Sequence, residues 1–142
     1  MADTAQTTFN FELVSPERRV LSAPATMAVV PGSEGVFGVL PGHSALVATV
    51  RPGVVEVKLA DSAETRRIFI AGGFADVTPT SCTILAEEAV NVSDLNQESL
   101  EKTLSNLSDD LTLAKDDLDR TRIEKKIVLV KAKIDAITAK AA

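Results

Sequence analysis

Hydrophobic and polar positions alternate in the first part of the chain and recur by threes and fours in the last. "FNFELV" sets Phe9, Phe11 and Leu13 against Asn10 and Glu12, as expected of a strand with one face buried. "VVEVKLA" does the same with Val55, Val57 and Leu59 against Glu56 and Lys58. "TMAVV" runs into Pro31-Gly32, "GVFGVL" into Pro41-Gly42, and "HSALVATV" into Pro52-Gly53. "RRIFIAGG" and "TSCTILAEE" complete the series. Turn signals between such runs predict an all-β sandwich or barrel.

The punctuation then stops. All Gly and Pro residues lie at or before Pro79, which marks a change of architecture. Leu100, Leu104, Leu107, Leu111, Ala114 and Leu118 form one helical stripe, and Ile123, Ile127, Val130, Ile134 and Ile137 form a second, out of phase with the first. Two such stripes predict a hairpin of two antiparallel helices. Its turn has two candidate positions: Asn106 and Ser108, or Asp116 and Asp117, could each cap the second helix. Acids crowd 109–119 and bases crowd 120–133, so the macrodipole favours a helix starting at the acidic end. The expected division is a β-domain over 1–90 and a helical hairpin over 91–142. A two-helix hairpin has little core of its own. It is a moving part or a passive appendage.

Composition narrows the functions. A formal net charge of −5 argues against nucleic-acid binding and against anionic lipid. With five Phe, no Trp and no Tyr, the core must be built from Val, Ile, Leu and Ala. The single Cys82 forms no internal disulfide and suits a reducing compartment; a small buried hydrophobe is its expected role. The start "MADTAQTTFN" has no charged n-region and no apolar run, so neither a secretory nor an Arg-rich transit segment is expected. Apolar runs fall short of the roughly 20 residues that a membrane helix needs.

Candidate chemistry is sparse. "GSEGVFG" spaces Gly32, Gly35 and Gly38 evenly, but strand-like residues follow and no Lys or Arg occurs between Arg19 and Arg51. A phosphate-cradling loop needs a helix N-terminus there, so these glycines are expected to turn corners. His43 follows Pro41-Gly42. Catalysis by it needs an orienting partner that the sequence does not identify; a structural or interface role is the plainer reading. Metal binding lacks a second His and a companion for Cys82. The pairs Glu87-Glu88, Asp109-Asp110 and Asp116-Asp117 read as solvated caps. The basic residues Arg120, Arg122, Lys125, Lys126, Lys131 and Lys133 are a solvated helix face or a contact for an acidic protein. From pattern alone, a free-standing ligand-binding β-domain with a helical lid, or an enzyme using His43 with a carboxylate, stay open beside an interaction protein.

"GSEGVFGVLPGHSALVATVRPG" closely resembles the signature segment of the F-type ATP synthase epsilon subunit family, whose mitochondrial homologue is called delta. "ELVSPERRVLSA", "IAGGFADV" and "TILAEEAV" resemble its first strands, its Gly-Gly strand and its last strand before the helices. The resemblance extends over nearly the whole sequence. It implies a flattened β-sandwich of about ten strands followed by a helical hairpin. It also implies a non-catalytic rotor subunit that clamps the membrane ring of c subunits to gamma, peripheral on the cytoplasmic face of a bacterial inner membrane. Ser33, Glu34, Gly35, Val36, Phe37 and Gly38 are the implied ring-facing residues; Ser15, Pro41, Gly42 and His43 are the implied gamma-facing ones. Val36-Phe37 departs from relatives, where an acidic residue is common, and so implies a more apolar ring contact. The hairpin is implied as a candidate inhibitor of hydrolysis, its basic residues meeting acidic loops of the catalytic beta subunits and of alpha. The family's nucleotide motif at the first helix is Leu/Ile-Asp-x-x-Arg-Ala. Here "LNQESL" puts Asn96 for the Asp and Ser99 for the Arg, which removes the cation for a phosphate, so no ATP cofactor is expected.

Overall fold

A computed structural model describes residues 7–140. The protein divides into two compact units, Met1–Asn91 and Val92–Ala142. The first unit holds β1 (Phe9–Val14), β2 (Arg19–Gly32), β3 (Gly35–Val39), β4 (Leu46–Val50), β5 (Gly53–Leu59), β6 (Thr65–Ile70), β7 (Gly73–Val77), β8 (Ser81–Ala86) and β9 (Ala89–Asn91). The architecture is the expected β-sandwich, with nine strands among the described residues where about ten were expected.

Strand β2 is the hub. Its first half pairs with β1, and its second half pairs with β3 on one side and β5 on the other. Strand order runs β1-β8-β7-β4-β2-β5-β6-β9, and the β1–β2 pairing closes the first five into a ring. All pairings are antiparallel except β1–β8. The β2–β4 link that completes the ring is a single pair, Gly32–Val50.

The sequence reading finds only the "TMAVV" part of β2, because Pro24 ordinarily argues against a central strand. The hydrogen bonds explain its presence. In extended backbone, the N and C=O of one residue point to the same side. The Pro24 carbonyl accepts from Ala60 N at 3.0 Å, so its hydrogen-free nitrogen faces the end of β5 and the β1 ladder is undisturbed. Pro31 repeats the arrangement, its carbonyl accepting from Arg51 N at 2.9 Å.

Alternation fills the interior as read, but Phe9 and Phe11 join a core that composition assigned to Val, Ile, Leu and Ala. Phe9, Phe11 and Leu13 of β1 meet Ala28 and Val30 of β2, Val55 and Val57 of β5, Ile68 and Ile70 of β6, Val77 of β7 and Ile84 of β8 in one core. Burial of each large member of this set stabilises the fold by about 1.5–3 kcal/mol. Cys82 is fully buried among them, as expected.

The second unit holds a short 3-10 turn, Val92–Asp94, then α1 (Gln97–Leu113) and α2 (Asp117–Lys140), which pack side by side. Of the two candidate turns, the one at Asp116 is used: its carboxylate accepts from Asp119 N at 2.8 Å and caps α2. Asp117 and Asp119 then sit at the favourable end of the α2 dipole. Asp109 and Asp110 fall instead near the end of α1, where the dipole opposes them. Leu118 departs from the first stripe: it belongs to α2 and is 70% exposed. No helix among the described residues is long and apolar enough to cross a membrane.

Candidate functional site

The segment Ser33–Gly38 forms the tip and return of a hairpin. Gly32 pairs with Gly35, which leaves Ser33-Glu34 as a two-residue turn. Ser33 N donates to the Thr49 carbonyl at 2.9 Å and ties the tip to β4. Ser33, Glu34, Gly35, Val36 and Gly38 are exposed and Phe37 is half-buried. Together with Leu46–Thr49, residues 32–37 line a groove of about 480 Å³.

His43 lies outside β4, in a turn that Leu40 opens. His43 N donates to the Leu40 carbonyl at 3.1 Å, with Pro41 and Gly42 between them. Gly42 has φ 84°, the left-handed value that the third position of a type II turn requires. The His43 ring approaches the Ser44 carbonyl through Nδ1 at 2.7 Å. A carbonyl only accepts, so the proton sits on Nδ1. The hydrogen-bond partner of the ring is thus a main-chain carbonyl, not a carboxylate.

Ser15 sits in the β1–β2 turn. Its N and Oγ both donate to the Arg18 carbonyl, at 2.9 and 3.3 Å. With Val14, Pro16, Gly73, Phe74, Leu85, Ala86 and Glu87 it lines a groove of about 290 Å³. The groove floor is an apolar row across three strands. Val14 pairs with Leu85, and Leu85 pairs with Phe74. Phe74 is 57% exposed and Leu85 56%. Sequence reading overlooked these two as site residues. The signal was present: Cys82, Ile84 and Ala86 face the core, so Leu85 breaks the alternation of β8.

The implied gamma-facing residues do not converge on one spot. Ser15 follows Val14, at the strand end where Gly73 pairs with both Val50 and Ala86 and where Ser33 meets Thr49. Gly42 instead donates to the Pro79 carbonyl at 2.9 Å, beside the Asn10 end of β1. A six-residue strand separates the two ends, on the order of 15–20 Å.

Two other singled-out groups have structural roles. Burial, aided by the nearby Asp76 charge, pushes the Cys82 thiol up to about 12, far from a reactive thiolate. Asn96 is the N-cap of α1, its Oδ1 accepting from Ser99 N at 2.9 Å. The residue that departs from the nucleotide motif thus closes a helix end, its donor being the main-chain N–H of Ser99.

The basic residues of α2 divide around its apolar seam. At about 100° per residue, Arg122, Lys126 and Lys133 fall to one side of the Ile123–Ile127–Val130–Ile134 stripe. Arg120 and Lys131 fall to the other, and Lys125 stands away from it. Arg120 and Arg122 also pair with Asp117 and Asp119, at 3.4 and 3.8 Å.

Comparison with known proteins bears on the assembly. Residues 8–92 match the family described as ATP synthase, Delta/Epsilon chain, beta-sandwich domain, and residues 96–142 match the C-terminal domain of the ATP synthase epsilon chain. The protein belongs to the ATP synthase epsilon chain family. It is 48% identical over 134 residues to the ATP synthase epsilon chain of Rhodospirillum centenum, covering 91% of each. It is 47% identical over 133 residues to that of Maricaulis maris, covering 94% of this chain and 96% of the relative. The epsilon fold is also seen in a chain of the Euglena gracilis mitochondrial ATP synthase (TM-score 0.80, 23% identity, 100% of this chain and 86% of that one). A chain of the Tetrahymena thermophila central stalk and c-ring structure is similar too (TM-score 0.66, 12% identity, 93% and 97% covered).

Proposed function

We propose that this epsilon subunit is a non-catalytic rotor subunit that joins the c-ring to gamma in a proton-translocating ATP synthase, held at the membrane only through the complex. The observation that carries the reading is the exposed apolar row Val14–Leu85–Phe74 beside Ser15. A water-exposed Phe and Leu on neighbouring strands favour a protein partner over a small polar ligand, because burying them is favourable only against another apolar surface. That surface is assigned to gamma. The Pro41-Gly42-His43 turn lies at the far end of the strands, so gamma lies along their length to reach both Ser15 and His43. The Ser33–Gly38 hairpin tip is assigned to the ring, with Val36 supplying an apolar contact.

The division of labour follows from rigidity. Proton flow turns the ring, and the clamp must transmit torque without deforming. A closed five-strand ring with hydrogen-bonded corners offers preformed loop tips, which lose little entropy on docking. The helical hairpin is assigned a regulatory contact with the catalytic beta and alpha subunits, through basic rows on both sides of its seam. Removal of residues 91–142 then raises ATP hydrolysis by the complex; unchanged hydrolysis removes that role. The hairpin is expected not to hold ATP, since Asn96 and Ser99 stand where the family motif has Asp and Arg and leave no cation there for a phosphate.

Affinity purification of the tagged protein from detergent-solubilised membranes tests the main reading. Gamma and ring subunits are expected in the eluate. Their absence overturns it.

A further inference from the structure

We infer that His43 meets gamma as a hydrogen-bond acceptor: its Nε2 receives an uncharged N–H or O–H of that subunit, and a proton on Nε2 breaks the contact. This deepens the assignment of the Pro41-Gly42-His43 turn to gamma and rests on it.

The argument starts from which ring nitrogen is engaged. A neutral imidazole has one donor nitrogen and one acceptor, and a bond made by one fixes the role of the other. His43 Nδ1 lies 2.7 Å from the Ser44 carbonyl, which only accepts, so Nδ1 carries the proton and Nε2 keeps a lone pair. Nε2 stands at the far edge of the ring and has no hydrogen-bond partner among the described residues. The turn that carries the ring is held at two points. His43 N donates to the Leu40 carbonyl at 3.1 Å, and Gly42 N donates to the Pro79 carbonyl at 2.9 Å. The acceptor is therefore offered from a bonded backbone, which lowers the cost of ordering it on docking.

The surroundings decide which kind of donor fits. Leu40 is 55% exposed and Leu46 39%, so apolar side chains flank the turn. The segments that meet at this end of the sandwich, 7–11, 39–50 and 77–81, contain no Asp, Glu, Lys or Arg. The next charged residues along β7 and β1 are Asp76, which pairs with Val47 and Thr83, and Glu12, which pairs with Ser22 and Thr83. A cation of the partner, covered here, would meet no carboxylate of these segments to balance it. An uncharged donor makes the bond and leaves no buried charge. Once Nε2 is protonated, two donors face each other and the imidazolium is desolvated without a counter-charge. Proton uptake thus favours the unbound protein, and affinity falls as pH falls.

Two measurements test this. His43 is the only histidine, so its ring signals need no assignment. In long-range proton–nitrogen NMR spectra of the free protein at about pH 8, where an imidazole is ordinarily neutral, the proton is expected on Nδ1. A proton mainly on Nε2 overturns the inference. Binding is then measured to ATP synthase stripped of this subunit. His43→Leu is expected to bind about tenfold more weakly, the effect of a donor left without its acceptor. His43→Gln puts a non-titrating amide oxygen near the place of Nε2 and is expected to bind as the unaltered protein does. From about pH 7.5 to about 5.5 the unaltered protein is expected to lose about tenfold in affinity relative to His43→Gln, the factor for one imidazole that binds only when neutral. Should His43→Leu fold poorly, that relative loss decides. A His43→Gln protein that binds as weakly as His43→Leu overturns the acceptor. So does affinity that ignores His43 and its titration, or that rises relative to His43→Gln at lower pH; each leaves the rotor reading standing. An unaltered protein that does not bind overturns both.

Discussion

Gly73 and Leu85 approach so closely that a Cβ on Gly73 would stand 1.9 Å from the Leu85 carbonyl oxygen. Gly73 also has φ 147°, a value that side chains rarely adopt. The close approach brings β7 and β8 together beneath the exposed Phe74–Leu85 row, so a backbone constraint shapes the proposed gamma-binding groove. Gly73→Ala adds overpacking to dihedral strain and is expected to cost about 3 kcal/mol or more. Gly42→Ala meets open space and bears strain alone, so about 1 kcal/mol is expected. Thermal unfolding of the two variants checks the order; equal losses would contradict it.

Phe74 and Leu85 face water in the free protein, so charge there should spare the fold and harm docking. Phe74→Asp and Leu85→Asp are expected to shift stability by less than about 1 kcal/mol. Binding to gamma should fall by about 2 kcal/mol or more if the row is the centre of the contact. Titration of purified gamma with each variant measures this. Unchanged affinity removes the row from the interface.

Cys82 ties stability to alkaline pH. Its pKa is raised from 9.0 to about 12 by burial, and further by the Asp76 charge. The thiol form is favoured in the folded state. Its contribution is therefore complete below pH 9 and is lost as pH rises from 9 towards 12. The slope approaches about 1.4 kcal/mol per pH unit from this group. Cys82→Ala removes that part of the slope in denaturant titrations across pH. The unaltered thiol should resist thiol reagents until the protein unfolds.

Asn96 and Asp116 cap the two helices by the same means, a side-chain oxygen accepting a backbone N–H three residues on. Asn96→Ala and Asp116→Ala are each expected to cost about 1 kcal/mol in helical stability, read by circular dichroism on heating. Calorimetric titration with ATP should give no micromolar binding in either the parent or the Asn96→Ala protein. Micromolar binding by the parent would show that a phosphate is held without the family's Arg.

What was legible from the residues depended on how local the cause was. Strand β1 alternates cleanly and coincides with "FNFELV"; the helical stripes needed only periodicity. The full length of β2 was not legible, because the harmlessness of Pro24 depends on Ala60, far along the sequence. The start of β4 was misplaced because His43-Ser44-Ala45 reads like strand, whereas the Leu40–His43 bond makes it a turn. The site was half visible. Ser33–Gly38 and His43 stood out by motif, but the exposed row emerges only when β1, β8 and β7 lie side by side.

Two neighbouring places are assigned to two partners, the hairpin tip to the ring and the apolar row to gamma. Because Cys82 is buried and unreactive, a single introduced cysteine at either place reports alone. Glu34→Cys and Phe74→Cys variants, assembled into the ATP synthase and treated with a short crosslinker, separate the assignments. The account predicts a product with a ring subunit from position 34 and a product with gamma from position 74. Crosslinking of both positions to the same subunit, or of neither to any, contradicts it.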